Sequence, residues 1–142
     1  MSIPFRLLLP TQLCDEMFAQ AQAELPNECC GQLAGSVDAD GLARVLKRYP
    51  LINTAASPIK YLADGLDLFT AARDMRERGI DLLAIYHSHP TSDPVPSKTD
   101  REQSFYGSQV VNLIISMKAG TPVMRGWWLT ETGHTEAEWE LT

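Results

Sequence analysis

Two histidines one residue apart, followed by a serine and an aspartate, are the residues of this sequence whose types and spacing best suit chemistry. They are His87, His89, Ser97 and Asp100, in the segment IYHSHPTSDPVPSKTD at residues 85–100. Side chains at positions i and i+2 of an extended strand point to the same side, so both imidazoles can face one point. The loop after them is stiffened by prolines and can return the carboxylate to that point.

Two imidazole nitrogens and one carboxylate oxygen are typical ligands of a catalytic zinc site, which leaves its fourth tetrahedral position to water. The spacing therefore predicts one Zn²⁺ per chain, bound by His87, His89 and Asp100. A structural interpretation stays open for each residue taken alone. Ser97 and Asp100 have the spacing of a helix capping box, and paired histidines also occur on ordinary surfaces.

The whole pattern is similar to the JAMM motif of MPN-domain metalloproteases. It consists of His-x-His, seven intervening residues, Ser, two residues and Asp, together with an upstream Glu. The matching acid is Glu28 in LPNECCGQLAG, and NTAASPIKYLAD resembles the segment before the second helix in single-domain bacterial and archaeal members. The resemblance covers nearly the whole chain, and the tail after about residue 120 carries least of it.

This resemblance implies a mixed α/β fold with a partly barrel-like sheet flanked by helices and a core like that of cytidine deaminases. It implies that His87, His89 and Asp100 bind zinc, that Glu28 is the general base for the attacking water, and that Ser97 helps to stabilise the oxyanion. The implied reaction is amide hydrolysis at the C-terminal tail of a ubiquitin-like or sulfur-carrier protein. Such an enzyme would trim the tail or release an amino acid, such as cysteine, built on it.

A tail of this kind would bind extended in a narrow groove, because pairing to a strand edge holds it without reading many side chains. The segments expected beside it are TSDPVPS and the residues around Tyr61. Since prolines offer no N–H, Val95 and the neighbouring carbonyls would supply pairing on the first side. The narrow groove predicts small residues, glycine above all, before the cleaved bond.

Other functions stay open from the sequence. Cys29 or Cys30 could be a nucleophile assisted by His87, although small residues at the start of a strand are more simply core packing. The chain could be a catalytically silent MPN scaffold, but such members typically lack a ligand and none is missing here. It could also belong to a DNA-repair-associated branch with a similar histidine–proline loop; the acidic charge and an early first helix count against that branch.

The elements that must position these residues can be read from periodicity and turn signals. Apolar positions predict a first helix over residues 11–25, ended by Pro26, and a second over 65–78, ended by Gly79. The buried face of the first comprises Cys14, Phe18, Ala21 and Leu25; that of the second comprises Leu68, Ala72 and Met75, with Phe69 beside them. The turn signal DADG predicts a hairpin over 29–51, and a short extended piece follows near Tyr61.

The rest of the chain predicts strands at 80–87, 110–116, 122–130 and 134–141, and a short helix at 97–106. Of the paired tryptophans in the third of these strands, one should face the core and the other be partly exposed, and His134 should be an exposed bystander. The order of elements is mixed α/β.

Composition limits the remaining possibilities. A chain of 142 residues, 44% of them hydrophobic, can bury one sizeable core but is short for two, which predicts a single domain over residues 1–142. A net charge of −6 repels phosphates and anionic lipids, and the basic stretch at 73–78 is interleaved with acids, so neither nucleic acid nor membrane is predicted as a partner. Three cysteines, two of them adjacent, predict a reducing cytoplasm, and no secretory or membrane-spanning segment is recognised.

Overall fold

The structure, a computed structural model, describes residues 5–103, 106–130 and 132–142. Three helices and eight strands make up these residues, together with a short 3₁₀ helix at Gly107–Gln109. In chain order the elements are β1 (Arg6–Leu9), α1 (Thr11–Ala23), β2 (Cys30–Val37), β3 (Leu42–Leu51), α2 (Gly65–Arg78), β4 (Asp81–His89), α3 (Lys98–Glu102), β5 (Val111–Ser116), β6 (Val123–Leu129), β7 (His134–Ala137) and β8 (Trp139–Leu141).

All eight strands belong to one sheet with the order β7-β6-β5-β4-β2-β3-β1-β8. Strands β7 and β8 are separated in the chain only by Glu138, yet they lie at opposite ends of this order. The sheet must therefore curl until its two ends approach each other, which gives a nearly closed barrel. This confirms the mixed α/β fold with a partly barrel-like sheet.

Strand β4 lies near the middle of the sheet, antiparallel to β2 and parallel to β5. Its side chains alternate, so Ile85, His87 and His89 share one face. On the opposite face, Ala84 and Tyr86 belong to the main core, which also includes Met17 of α1. That core fixes β4 from behind and leaves its histidine face for the site.

Helix α1 ends two residues earlier than predicted, and Leu25 lies beyond it, 36% exposed. Its buried positions are Cys14, Met17 and Ala21. Leu25 was thus wrongly assigned to the buried face, and Met17 was missed. The chain turns after the helix, so Leu25 no longer follows the helical spacing and does not reach the core.

Helix α2 has the predicted bounds, with the Asp64 side chain accepting a hydrogen bond from the Asp67 N–H at one end and Gly79 in the left-handed conformation at the other. Its buried residues are Ala71 and Met75, whereas Ala72 is exposed. Ala72 was therefore placed on the wrong face. The buried face of the helix is narrow here. It includes Ala71, four positions before Met75, and excludes Ala72, three positions before Met75.

The hairpin over 29–51 is confirmed, and the Asp38 side chain closes its turn by accepting hydrogen bonds from the N–H groups of Asp40 and Leu42. The predicted strand over 134–141 is wrong, because Glu138 divides it into β7 and β8. Strand β1 was not predicted, and it precedes the first helix. The extended piece near Tyr61 forms one bridge, between Asn53 and Ala63.

Two further differences concern lengths near the site. Strand β4 continues to His89, two residues past its predicted end, and α3 ends at Glu102. The helix predicted to reach residue 106 overlaps positions 104–105, which lie outside the described residues.

Side-chain burial agrees with several expectations. Trp127 is buried and Trp128 only partly, and His134 is exposed. All three cysteines are free and buried. Among the helices of the described residues, none has the length and apolar character needed to cross a membrane.

Candidate metal centre

The end of β4 and the start of α3 bring His87, His89 and Asp100 together, as predicted. The two Nε2 atoms of the histidines are 3.1 Å apart. Asp100 Oδ1 lies 3.2 Å from His87 Nε2, and Asp100 Oδ2 lies 3.1 Å from His89 Nε2. Both histidines are buried. Three ligand atoms from three different positions thus face one point.

These distances fit zinc. A tetrahedral Zn²⁺ with bonds of about 2.0–2.1 Å to its ligands separates the ligand atoms from one another by about 3.3 Å. His89 Nδ1 lies 2.8 Å from the carbonyl oxygen of Asp93, which can only accept a hydrogen bond. Nδ1 therefore donates its proton to this hydrogen bond, and Nε2 is the ring nitrogen that faces the cluster.

Electrostatics within the cluster favour an ionised carboxylate. Burial raises the pKa of Asp100, but hydrogen bonds from His87, His89 and the Ser97 N–H outweigh it and hold that pKa well below its usual range. Burial lowers the pKa of His89, and the hydrogen bonds with Asp100 and Asp93 more than reverse this, so the net shift is upward. The imidazole and the carboxylate therefore stabilise each other's charge. A bound cation would stabilise the charge of the carboxylate in the same way.

Ser97 caps α3 through a complete capping box. Its Oγ accepts a hydrogen bond from the Asp100 N–H at 3.0 Å, and Asp100 Oδ2 accepts one from the Ser97 N–H at 2.9 Å. The capping interpretation is therefore correct. Since the hydroxyl only accepts in this bond, its own proton remains available to donate elsewhere.

The loop at 90–97 is held mainly by its own backbone groups. The Asp93 carbonyl binds His89 and also accepts from the Val95 N–H at 2.8 Å. The Ser92 carbonyl accepts from Ser116 Oγ, and the Pro94 carbonyl accepts from Trp127 Nε1. The Val95 N–H, which was expected to pair with a substrate tail, is therefore already used within the loop.

Glu28 lies between α1 and β2, with its backbone fixed on both sides. Its N–H donates to the Ser57 carbonyl, and its carbonyl accepts from Asn53 Nδ2. The side chain is only 3% exposed, and its Oε1 has no hydrogen-bond partner among the described residues. Burial raises the Glu28 pKa to about 8, while the charges of His89 and Asp100 act on it in opposite directions. The carboxyl group thus lies in the field of the cluster with an oxygen free to bind water.

The cysteines do not have the environment of a nucleophile. Burial raises the pKa of both the Cys29 and the Cys30 thiol to about 12, which keeps them protonated at neutral pH. Cys30 lies opposite His87 in the sheet and Cys29 belongs to the main core. Core packing, the simpler of the two interpretations, accounts for Cys29. Cys30 is buried on the histidine face of the sheet, where its Sγ contacts the Leu51 carbonyl.

A groove runs from His87 and Asp100 along the histidine face of the sheet, with a cavity volume of about 120 Å³. One wall is the segment at 60–63, where Tyr61 stacks on the His87 ring at 4.8 Å between centroids, and the other is formed by α3 and Tyr106. On the first wall, the N–H and C=O groups of Tyr61 and Ala63 make no hydrogen bond with the described residues. The groove therefore offers a free backbone edge beside the cluster.

Gln32 and Asn112 form part of the floor of this groove and were missed from the sequence. Each is a polar residue flanked by apolar or small residues in its strand, in GQLAG and VVNLI. A polar side chain on the site face of a buried strand is the signal that could have identified them. Recognising it requires the register between strands, which the sequence does not contain.

The chain matches the family model described as prokaryotic homologues of the JAB domain over residues 10–130. It is 36% identical to a desampylase of Haloferax volcanii over 110 residues, and this alignment covers 74% of this chain and 77% of that protein. It is 38% identical to a probable TtuB-protein conjugate cleaving protease of Thermus thermophilus, covering 69% of this chain and 63% of that one. It is 33% identical to a CysO-cysteine peptidase of Mycobacterium tuberculosis, covering 66% and 62%.

Solved structures agree with the fold. A protein from Desulfitobacterium hafniense, known from its solution structure, superposes with a TM-score of 0.85 at 36% identity and covers 96% of this chain and 92% of that one. A Salinibacter ruber protein superposes with a TM-score of 0.70 at 24% identity, covering 95% and 90%, which supports the fold alone.

Proposed function

Because this chain belongs to the family of prokaryotic homologues of the JAB domain, we propose that it is a zinc-dependent peptidase or isopeptidase of the JAMM type. Its substrate is the C-terminal tail of a ubiquitin-like or sulfur-carrier protein. The observation that carries this proposal is the set of three ligand atoms spaced for zinc beside a groove with a free backbone edge. Relatives named as a desampylase, a conjugate-cleaving protease and a CysO-cysteine peptidase support the same substrate class.

His87, His89 and Asp100 would hold the metal, which when bound supplies Lewis acidity and lowers the pKa of a water molecule toward about 7. Glu28 accepts a proton from the attacking water and returns it to the leaving amine. Burial raises the Glu28 pKa, and a bound cation would lower it, because a nearby positive charge favours the carboxylate. Ser97 donates its hydroxyl proton toward the oxygen that becomes negative during attack.

The tail binds by adding a strand to the free edge at Tyr61 and Ala63. Main-chain hydrogen bonds at such an edge hold an extended peptide with little dependence on its side chains. The stacked rings of Tyr61 and His87 narrow the groove at the metal end. Glycines before the cleaved bond pass this constriction, so a carrier ending in Gly-Gly before the cut should have a much higher kcat/KM than one ending in Val-Gly.

A scaffold without activity is less consistent with this site, since such members typically lack a ligand and here all three are in place. Location in the cytoplasm remains a proposal, with which three free, buried thiols are compatible.

The test combines metal analysis with cleavage. Purified protein made with ample zinc should contain about one Zn²⁺ per chain, and mass spectrometry of carriers with C-terminal extensions should show release of the extension. Removal of the metal by a chelator should stop release, and return of zinc should restore it. Protein with far less than stoichiometric zinc, or one that releases the extension equally well without metal, would contradict the proposal.

A further inference from the structure

The floor of the groove contains a row of three side chains that crosses the sheet. Gln32 of β2 lies opposite Ile85 of β4, and Ile85 lies opposite Asn112 of β5. Directly opposed residues share a face of a sheet, so the two amides flank Ile85 on the side of the histidines. His87 is two residues further along β4, which places this row one step of about 6.6–6.8 Å from the metal ligands.

The amide of Asn112 is buried without a partner. Asn112 is 3% and Gln32 is 4% exposed. Gln32 Nε2 donates to the hydroxyl of Tyr106 at 3.2 Å, whereas Asn112 Nδ2 finds no hydrogen-bond partner in the described part of the chain. Buried amide donors are almost always paired, because an unpaired one is destabilising. Asn112 lines the groove, so a group that enters the groove meets this side chain, and rotation of the amide would bring its covered Nδ2 to that group.

The distance between this row and His87 determines which residue of a bound tail lies over the row. In the proposed function the tail runs along the free edge at Tyr61 and Ala63. On the other side of the cluster, the Val95 N–H and the carbonyls of residues 92–94 are already hydrogen-bonded. An extended chain advances by about 3.3 Å per residue, so two residues cover the step from His87 to Ile85. With the carbonyl of the last tail residue at the metal, the third residue before the cleaved bond lies over Gln32, Ile85 and Asn112.

The chemistry of the walls defines which side chain fits there. Leu51 and Leu62 provide apolar surface for an aliphatic stem, and the free donor requires an acceptor at its end. A carboxylate in the groove would be repelled by Asp100, and a basic group would be repelled by Lys60, so neither charge is favoured.

We propose that Asn112 and Gln32 form the subsite for the third residue before the cleaved bond and select an uncharged side chain with a hydrogen-bond acceptor, such as Asn, Gln or Thr. This inference rests on the proposed function and adds a specificity determinant to it. It concerns recognition of the tail, so binding can test it without turnover.

The experiment uses zinc-loaded chain with Glu28→Gln and measures by calorimetry its affinity for two carriers that end in Asn-Gly-Gly or Leu-Gly-Gly, each with the same extension. Asn and Leu have nearly the same size, so the pair isolates the acceptor. The Asn carrier should bind about 5-fold more tightly or better, because its acceptor satisfies a buried donor. Adding Asn112→Leu should remove this preference, and the exposed helix variant Gln22→Leu should retain it.

Thermal unfolding without carrier provides a second measurement. Asn112→Leu should melt no lower than its parent, since it removes a donor that has no partner in the free protein. Equal affinity for the two carriers, or a preference that survives Asn112→Leu, overturns the inference and leaves the proposed function intact. Selectivity that depends instead on the residue after the cut also overturns it. Failure of every Gly-Gly carrier to bind refutes the proposed function and this inference together.

Discussion

At the scale of a single residue, the proposed function gives Asp100 two tasks, helix cap and metal ligand, and they depend on each other. Its backbone N–H and its Oδ2 complete the capping box with Ser97, while both carboxylate oxygens face the histidines. The cap fixes the orientation of the side chain, so the ligand does not have to be ordered when a metal binds. Sequence reasoning treated cap and ligand as competing interpretations, and the structure accommodates both in the same residues.

Glu28→Gln tests the general base at this scale. The amide can still hydrogen-bond water but cannot accept its proton, so turnover should fall by about 100-fold or more, while zinc content and melting temperature stay close to those of the parent. His87→Ala is the matched comparison and should lose zinc as well. Cleavage by Glu28→Gln at the parent rate would show that the base is another residue.

Ser97 requires a pair of variants, because the hydroxyl both caps α3 and can donate to the oxyanion. Ser97→Ala should lower the free energy of unfolding by about 1 kcal/mol, and Ser97→Gly by only a few tenths, because glycine is a tolerated cap. Both lack the hydroxyl, so both should lower kcat by roughly a hundredfold. Chemical unfolding and steady-state kinetics separate the two roles. A kcat loss that follows the stability loss, large for Ala and small for Gly, would mean that Ser97 acts only as a cap.

At the scale of elements, local signals predicted what local interactions stabilise. Helix α2 ends at Gly79 because a left-handed residue is needed there, and the hairpin turn at 38–41 follows from its Asp and Gly residues. The His-x-His pair was likewise legible because a strand has a period of two. These features depend on residues a few positions apart.

What the sequence did not reveal depends on distant pairing. Strand β1 pairs with β3 and β8, and its RLLL segment has no alternation that distinguishes it from a buried helix turn. The break at Glu138 exists because β7 completes one end of the sheet and β8 the other. Asn112 joins the site only through its register with Ile85. All three depend on pairing between strands that are distant in the sequence, and that pairing is a property of the whole sheet.

Strand β2 pairs with β4 at a position, Gly31 opposite Tyr86, where only glycine fits. A Cβ on Gly31 would overlap the ring of Tyr86, which is buried and whose hydroxyl accepts a hydrogen bond from Arg48. Gly31→Ala should therefore lower the free energy of unfolding by about 1–3 kcal/mol, the usual cost of overpacking a core. Gly65→Ala is the control, because a Cβ there meets nothing within 4 Å and the residue begins α2. Denaturant unfolding should show a loss for the first variant and no loss for the second; equal effects would remove the steric explanation.

At the scale of the whole molecule, exposed apolar side chains are concentrated beside the groove. Five large hydrophobic residues between positions 52 and 69 are 62% to 76% exposed: Ile52, Ile59, Leu62, Leu66 and Phe69. Leu62 also lines the groove, so this apolar surface continues from the wall along which the tail is proposed to run. Exposed apolar patches of this kind commonly mark interaction sites. In the proposed function the carrier body follows its tail, so we expect it to contact this surface when the tail is in the groove.

The final prediction separates recognition of the carrier body from recognition of its tail. Leu66→Asp and Phe69→Asp place charges on the apolar surface without touching the metal ligands or the groove lining, and each should raise KM for a folded carrier by about 10-fold, the typical effect of losing a central interface contact. Neither should change kcat/KM for a short peptide with the same tail sequence, because a peptide does not extend to this surface.

Leu46→Asp is the matched control: Leu46 is equally apolar and 61% exposed, but it lies on β3 outside the 52–69 segment. Parallel kinetics with carrier and peptide decide the matter. If the peptide is affected as strongly as the carrier, the two residues act on the site itself; if neither substrate is affected, the carrier body lies elsewhere and its tail alone directs it to the groove.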